Sequence, residues 1–235
     1  MLLDLEAVWC HWCHVMDDKT YGDVEVQRLL TENVLTIKVD QDARPDISNR
    51  YEDYGWPATI IFDSEGREIA KLSGYIRPAR MIALLEAFIA DPTPGPSVRP
   101  TAPMTYSSES TLSRALRNEL HNRQLAHYDR GEKSWGTYHK FLRPAGVEYA
   151  LSRRDDPVAQ RMARETLDAG LKLIDPVWGG VYQYSHGGVW TNPHFEKIMS
   201  FNAWNLRIYS LAYAALGDVR YLAAARDIER YLTRF

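Results

Sequence analysis

The sequence predicts an α/β domain followed by an all-α domain. Three observations carry this. Cys10 and Cys13 form a Cys-x-x-Cys pair where an apolar strand runs into a helix. Strand and helix signals follow one another over residues 1–91 in the order β-α-β-α-β-β-α. Beyond a proline-rich stretch at 92–104, residues 105–235 show mainly helical periodicity.

Each element has its own reason. Leu2–Val8 is a short apolar run carrying Asp4 and Glu6, and it leads directly into Cys10-His11-Trp12-Cys13-His14. A helix is expected from the second cysteine, broken near Gly22 and resuming through Val24, Val26, Leu29 and Leu30. Val34–Val39 is β-branched and apolar, which predicts a buried strand. Arg44–Tyr54 is polar, and Pro45 suits the first turn of a short helix. Pro57–Phe62 predicts a strand, Asp63-Ser64-Glu65-Gly66 a turn, and Arg67–Ser73 the returning strand. Arg77–Ala90 carries Met81, Leu84, Leu85 and Phe88 at helical spacing.

Pro92, Pro94 and Pro96, with Pro100 and Pro103 beyond, predict a semi-rigid extended linker, because proline fixes φ and cannot join regular ladders. In the second half, Leu112, Leu116 and Leu120 are spaced by four. Val158, Met162, Leu167, Leu171 and Ile174 share a face. Ile198, Phe201, Trp204, Ile208, Leu211 and Ala215 form a long apolar stripe, and Tyr221, Ala225, Ile228 and Leu232 form another. Gly179–Asn192 interrupts these with glycines and alternating aromatics, which predicts a hairpin around His186-Gly187-Gly188. At a mean of about 11–12 residues per helix, this half has room for about five.

Composition excludes several classes. Hydrophobic residues make up 45% and charged residues 25% of the 235, the balance of a folded globular protein. The net charge of −3, with no long run of either sign, argues against a nucleic-acid partner. No apolar stretch approaches a membrane span, so no membrane partner is expected. The opening MLLDLEAVWC lacks a basic start, a long apolar core and a small-residue cleavage site, and is not a secretory signal. The chain begins directly on a strand, so preceding residues are expected to be missing. The compartment stays open, cytoplasmic by default.

The only two cysteines lie three positions apart, which points to chemistry at that spot. A thiol attacks as the thiolate, and a Cys-x-x-Cys at a strand-to-helix junction favours that form, since helix N-terminal amides face the first sulfur. Cys10 is therefore the expected nucleophile, and Cys13, one turn later, resolves the mixed disulfide. His11 and His14 would favour the thiolate further when protonated.

Several features at once resemble the thioredoxin superfamily. LLDLEAVWCHWC is similar to that family's strand, Trp-Cys-x-x-Cys turn and helix. Asp4, six residues before Cys10, stands where the family has a buried proton-relaying aspartate. Gly55-Trp56-Pro57-Ala58-Thr59 resembles its cis-proline loop, and Gly74 a glycine of its last strand. The departures are His11-Trp12 in place of the usual Gly-Pro and the missing first strand and helix. A narrower resemblance is to the DUF255 thioredoxin-domain proteins, which include spermatogenesis-associated members. It rests on Trp-Cys-His-Val-Met, on Lys38-Val39-Asp40 with Arg44-Pro45-Asp46, on Gly55-Trp56-Pro57, and on Pro193-His194-Phe195-Glu196-Lys197-Ile198-Met199. It implies a partial α/α toroid of the six-hairpin glycosidase type after the thioredoxin-like domain.

Rival readings of the cysteines are weaker. CHWCH fits c-type haem attachment, but haem needs neither the strand before it nor the Gly-Trp-Pro loop. Zinc could draw on Cys10, His11, Cys13 and His14, but adjacent Cys-His pairs on a starting helix point apart. An inert cysteine pair or plain disulfide is the third. No metal and no cofactor is expected.

Around the dithiol, Trp9, His11, Trp12, His14, Trp56 and Pro57 are the candidate substrate contacts, with Trp12 exposed. Asp4 joins Cys10 and Cys13 in the catalytic set, because a charge inside an apolar strand is costly unless paired or neutralised. Asp40 and Asp42 read as caps or solvated groups, and His121, His127 and His139 as surface residues. Glu196 could be a helix N-terminal carboxylate. Trp178, Tyr182, Tyr184 and Trp190 could stack a sugar or simply pack.

The expected activity is that of a thiol–disulfide oxidoreductase. Its partners are a disulfide-bearing protein or small thiol and a separate reductase for regeneration. The alternative is a non-catalytic module whose helical half binds a sugar or protein and whose dithiol is vestigial, regulatory or metal-binding. Glycosidase activity is not expected, since no carboxylate pair across a cleft can be identified. The Phe201–Leu211 stripe should leave apolar surface to be covered by missing sequence or by self-association.

Overall fold

A computed structural model of the protein describes residues 1–98 and 109–234. The chain divides into two compact units, Met1–Tyr106 and Ser107–Phe235.

The first unit is built on four strands: β1 (Leu2–Glu6), β2 (Thr36–Asp40), β3 (Ala58–Phe62) and β4 (Glu68–Ser73). Their order is β2-β1-β3-β4. β1 runs parallel to β2 and antiparallel to β3, and β3–β4 is a hairpin. The helices are α1 (His11–Met16), α2 (Val24–Asn33), α3 (Pro45–Arg50) and α4 (Pro78–Ala90). A π-helical turn, Asp17–Tyr21, continues α1, and Asp23 caps α2 by accepting from the amides of Glu25 and Val26.

Strand alternation sends side chains to two cores. Leu2 and Ile61 pack with Met16, Val26, Met81 and Leu85 on one face, while Leu3, Leu5 and Ile60 pack with Tyr51 on the other. Asp4 is two residues from Leu2, on the face that takes Met16 and α2. Its neighbour across the sheet is Thr59, also buried.

Two expectations for this unit are corrected. The strand placed at Val34–Val39 is Thr36–Asp40 and lies at the sheet edge, with Leu35 and Ile37 exposed. β-branched residues favour strands wherever they lie, and burial depends on having neighbours on both sides. The stretch from Pro92 is also no free spacer at its start. The Gly95 amide donates to the Ile69 carbonyl at 2.8 Å, and Ser97 Oγ accepts from the Lys71 amide at 2.9 Å, so Pro96–Val98 runs along the open edge of β4. Pro100 and Pro103 lie outside the described residues.

The second unit contains α5 (Arg114–Ala126), α6 (Pro144–Ser152), α7 (Pro157–Gly170), α8 (Met199–Leu216) and α9 (Val219–Arg234). Ser113 and Asp156 cap α5 and α7 through their side chains, and Gly217, at φ +68°, turns the chain from α8 into α9. The core gathers Trp135, Val147, Leu167, Trp190, Ile208, Tyr209, Tyr221 and Ile228. Among the described residues no helix is long and apolar enough to cross a membrane.

Here too the structure departs from the pattern. β5 (Tyr128–Asp129) and β6 (Ser134–Trp135) form a hairpin within the stretch taken as helical. The second hairpin pairs β7 (Tyr184–Ser185) with β8 (Pro193–His194), leaving Val189 and Trp190 in its connection. On α8 the buried face is Asn202, Asn205, Ile208, Tyr209 and Ala212, while Trp204 and Leu211 of the expected stripe are exposed. Asn202 belongs inside because its amide serves Val181 on both sides, accepting from the nitrogen at 2.6 Å and donating to the oxygen at 3.2 Å. Leu112, Leu116 and Leu120 are also exposed.

Candidate active site

Cys10 and Cys13 are joined in a disulfide with their Cα atoms 5.3 Å apart. Cys10 is the N-cap of α1, with extended backbone, and its sulfur accepts from the Cys13 amide at 3.1 Å. That amide is one of the orphan donors of a helix start, so the first sulfur occupies the position where negative charge is best stabilised. Its carbonyl takes the His14 amide at 3.2 Å, and its own amide donates to Ala7 at 2.9 Å, closing the loop between β1 and α1.

Ala7, Cys10 and Cys13 are buried in one cluster against Trp9, Trp12 and Trp56. Trp9 meets Trp56 edge-on at 5.1 Å between ring centroids, and Trp12 stacks on Tyr75 at 5.8 Å. Trp12 is thus half-buried rather than exposed: a ring on the first turn of α1 finds an aromatic partner beyond β4. His11 lies edge-on to Trp12 at 5.2 Å. His14 Nε2 donates to the Val8 carbonyl at 2.7 Å, so that ring braces the loop. Trp9 Nε1 donates to Asp42 Oδ2 at 2.8 Å, which gives Asp42 a holding role that its polar context did not suggest. The Trp56–Pro57 peptide is cis, Pro57 is buried, and its carbonyl accepts from the Gly74 amide at 2.8 Å. Gly55 and Gly74 have φ of +64° and +78°, values that favour glycine on either side of this loop.

Asp4 is buried, and its Oδ1 accepts no hydrogen bond. Burial, reinforced by the neighbouring Glu6 carboxylate and partly offset by Lys38, pushes its carboxyl up to about 7. Lys38 is the residue in register with Asp4 on β2, yet its ammonium pairs with Glu6 at 2.8 Å and Asp17 at 2.7 Å. Lys38, Glu6 and Asp17 are not among the site residues that the sequence predicts. The signal available was a lysine in an apolar strand that pairs beside another charged strand residue. Oxygens of Asp4, Glu6 and Asp17 lie within 4.8 Å of one another and are, among the described residues, the group able to hold a metal ion. It includes neither cysteine.

In the helical unit, His194 and Glu196 approach to 3.9 Å, and Glu196 precedes α8 rather than opening it. His139 is exposed, as expected, with its ring against Tyr184 at 4.5 Å and His186 at 5.7 Å; His121 is half-buried and His127 exposed. Trp190 is a core residue, its Nε1 donating to the Glu132 carbonyl at 2.7 Å, whereas Trp178 is exposed.

Sheet order, helix placement and a disulfide at the N-cap of α1 define a thioredoxin-like domain with a Cys-x-x-Cys centre. Residues 1–86 match the family described as "Thioredox_DsbH: Protein of unknown function, DUF255". Spermatogenesis-associated protein 20 of Mus musculus is 29% identical over 263 residues, covering 96% of this chain, which spans 33% of that relative's length. The thiol:disulfide interchange protein DsbD of Pasteurella multocida is 30% identical over 91 residues, covering 36% of this chain and 16% of that protein. Among solved structures, the oxidised C-terminal domain of Neisseria meningitidis DsbD is 24% identical with a TM-score of 0.32, covering 37% of this chain and 78% of that one.

Proposed function

We propose that this protein is a thiol–disulfide oxidoreductase acting through Cys10 and Cys13. The observation that carries the proposal is Cys10 as N-cap, its sulfur already accepting the Cys13 amide and bonded to Cys13. In the reduced protein the Cys10 thiolate attacks a substrate disulfide, forming a Cys10–substrate mixed disulfide and releasing one substrate thiolate. Asp4 accepts the Cys13 proton, and the Cys13 thiolate attacks Cys10, releasing the second substrate thiolate and forming the intramolecular disulfide. Two electrons from a separate reductase return the pair to dithiol. Trp9, Trp12, Trp56 and Pro57 form the wall that a disulfide-bearing protein or small thiol meets, with His11 and His14 at its margin. The match of residues 1–86 to the Thioredox_DsbH family and the 30% identity over 91 residues to the thiol:disulfide interchange protein of Pasteurella multocida support this reading.

The helical unit, on the same proposal, is part of an α/α toroid of the six-hairpin type. Support comes from α8 and α9, which pack as a hairpin, and from the apolar residues left exposed on α5 and α8. Further helices or a second copy would cover these.

The test is insulin-disulfide reduction by the full chain with a dithiol as electron donor. Turnover by the parent and none by Cys10→Ser supports the proposal; equal rates for the two refute it.

A further inference from the structure

The helical unit carries a cleft of about 1160 Å³ where the end of α5, the β5–β6 hairpin and the start of α6 meet. Its charge is one-sided. Arg123, Arg130 and Arg143 line it, and Asp129 is the one carboxylate among its lining residues. Both oxygens of Asp129 are engaged. Oδ2 holds the buried Lys140 ammonium at 2.6 Å, and Oδ1 accepts from the amides of Gly131 and Glu132 at 2.9 and 3.1 Å.

The guanidiniums are less committed. Arg123 pairs with Glu119 at 2.5 Å. Arg130 and Arg143 have no carboxylate partner among the described residues. Arg143 is nevertheless held in place: its Nε donates to the Trp135 carbonyl at 3.2 Å, and its guanidinium stands 5.0 Å from the Phe141 ring centre. Gly136, at φ +106°, gives it room, since a Cβ there would come within 3.1 Å of that Nε. The first turn of α6 has no side-chain cap, and Ala145 and Gly146 of that turn also line the cleft. Tyr128 and Phe141 add aromatic lining.

We infer that this cleft binds a small organic oxyanion, with its phosphate or carboxylate on Arg130 and Arg143 and a planar body against Tyr128 and Phe141. Planar guanidiniums favour such groups through paired charge-assisted hydrogen bonds. The proposal uses residues of the helical unit alone and stands whether or not the cysteines are redox-active.

The experiment is a titration of the full chain with phenyl phosphate, benzoate and phenol, followed by amide chemical shifts and calorimetry. The expected result is saturable binding of at least one anion, shifts at Gly136, Ala145 and Gly146, and none with phenol. Binding of phenyl phosphate alone assigns a phosphate ligand, and of benzoate alone a carboxylate. Arg130→Ala and Arg143→Ala should each weaken binding about tenfold or more. Arg28→Ala, at an exposed position of α2, should leave it unchanged. Arg130 is exposed and its replacement should not alter the fold, so an unchanged affinity in Arg130→Ala overturns the proposal. So does the absence of saturable binding by either anion, or binding of phenol as strong as theirs.

Discussion

Replacing Asp4 by asparagine isolates the cost of a carboxylate held inside the sheet. The unfolded chain releases the Asp4 proton near 3.8, whereas the folded chain holds it to about 7. Between those values the folded state binds more protons than the unfolded one, so stability falls as pH rises and levels off above neutrality. At about 1.4 kcal/mol per tenfold, ionising the buried carboxyl costs about 4 kcal/mol. The asparagine of the Asp4→Asn variant cannot ionise. It also brings a constant penalty for placing its amide beside groups that offer few partners. The informative quantity is therefore the change in the variant-minus-parent difference with pH, from which titrating groups not coupled to Asp4 cancel. Urea unfolding of the oxidised proteins, followed by tryptophan fluorescence, should show that difference moving in favour of the variant by about 4 kcal/mol between about pH 4 and pH 8. A difference equal at the two pH values would refute the assignment of Asp4 as a desolvated carboxyl.

Other substitutions test neighbouring claims. Cys13→Ser should accumulate a mixed disulfide through Cys10, seen as a mass adduct removed by dithiol, while Cys10→Ser should trap nothing; the reverse pattern would exchange the two roles. Lys140 is fully buried, with its ammonium on Asp129 and the Gly136 carbonyl at 2.8 Å. Lys140→Met should lower the stability of the helical unit by about 2–3 kcal/mol, less than the loss of a fully buried pair because Asp129 keeps some solvent. A melting temperature equal to the parent's would contradict that.

The dithiol was legible because its signal is local. Two cysteines at i and i+3, a strand before them and Gly-Trp-Pro after them lie in short runs of sequence, and Asp4 stands out as a charge among leucines. What escaped depends on pairing between distant segments. Whether the β-branched run at 36–40 is central or at an edge is decided by its neighbours. Gly95 and Ser97 are bound to β4 through backbone groups that leave no trace in composition. On α8 apolarity points to Trp204 and Leu211, but the core side holds Asn202, because Val181 needs a partner there. Trp9 is anchored by Asp42 across 33 residues, a separation that no local periodicity reports. The β5–β6 hairpin has two-residue strands, too short for an alternation to register.

The central claim is that Cys10–Cys13 is a working redox couple and not a structural clasp, and its reduction potential tests that most directly. The full chain would be equilibrated in thiol–disulfide buffers of graded potential, quenched by alkylation and weighed. An N-cap sulfur that accepts the Cys13 amide stabilises the reduced thiolate and favours reversible exchange. The account predicts a single two-electron transition between about −270 and −120 mV, the span of active dithiols. A midpoint below about −300 mV, where structural disulfides fall, would contradict it.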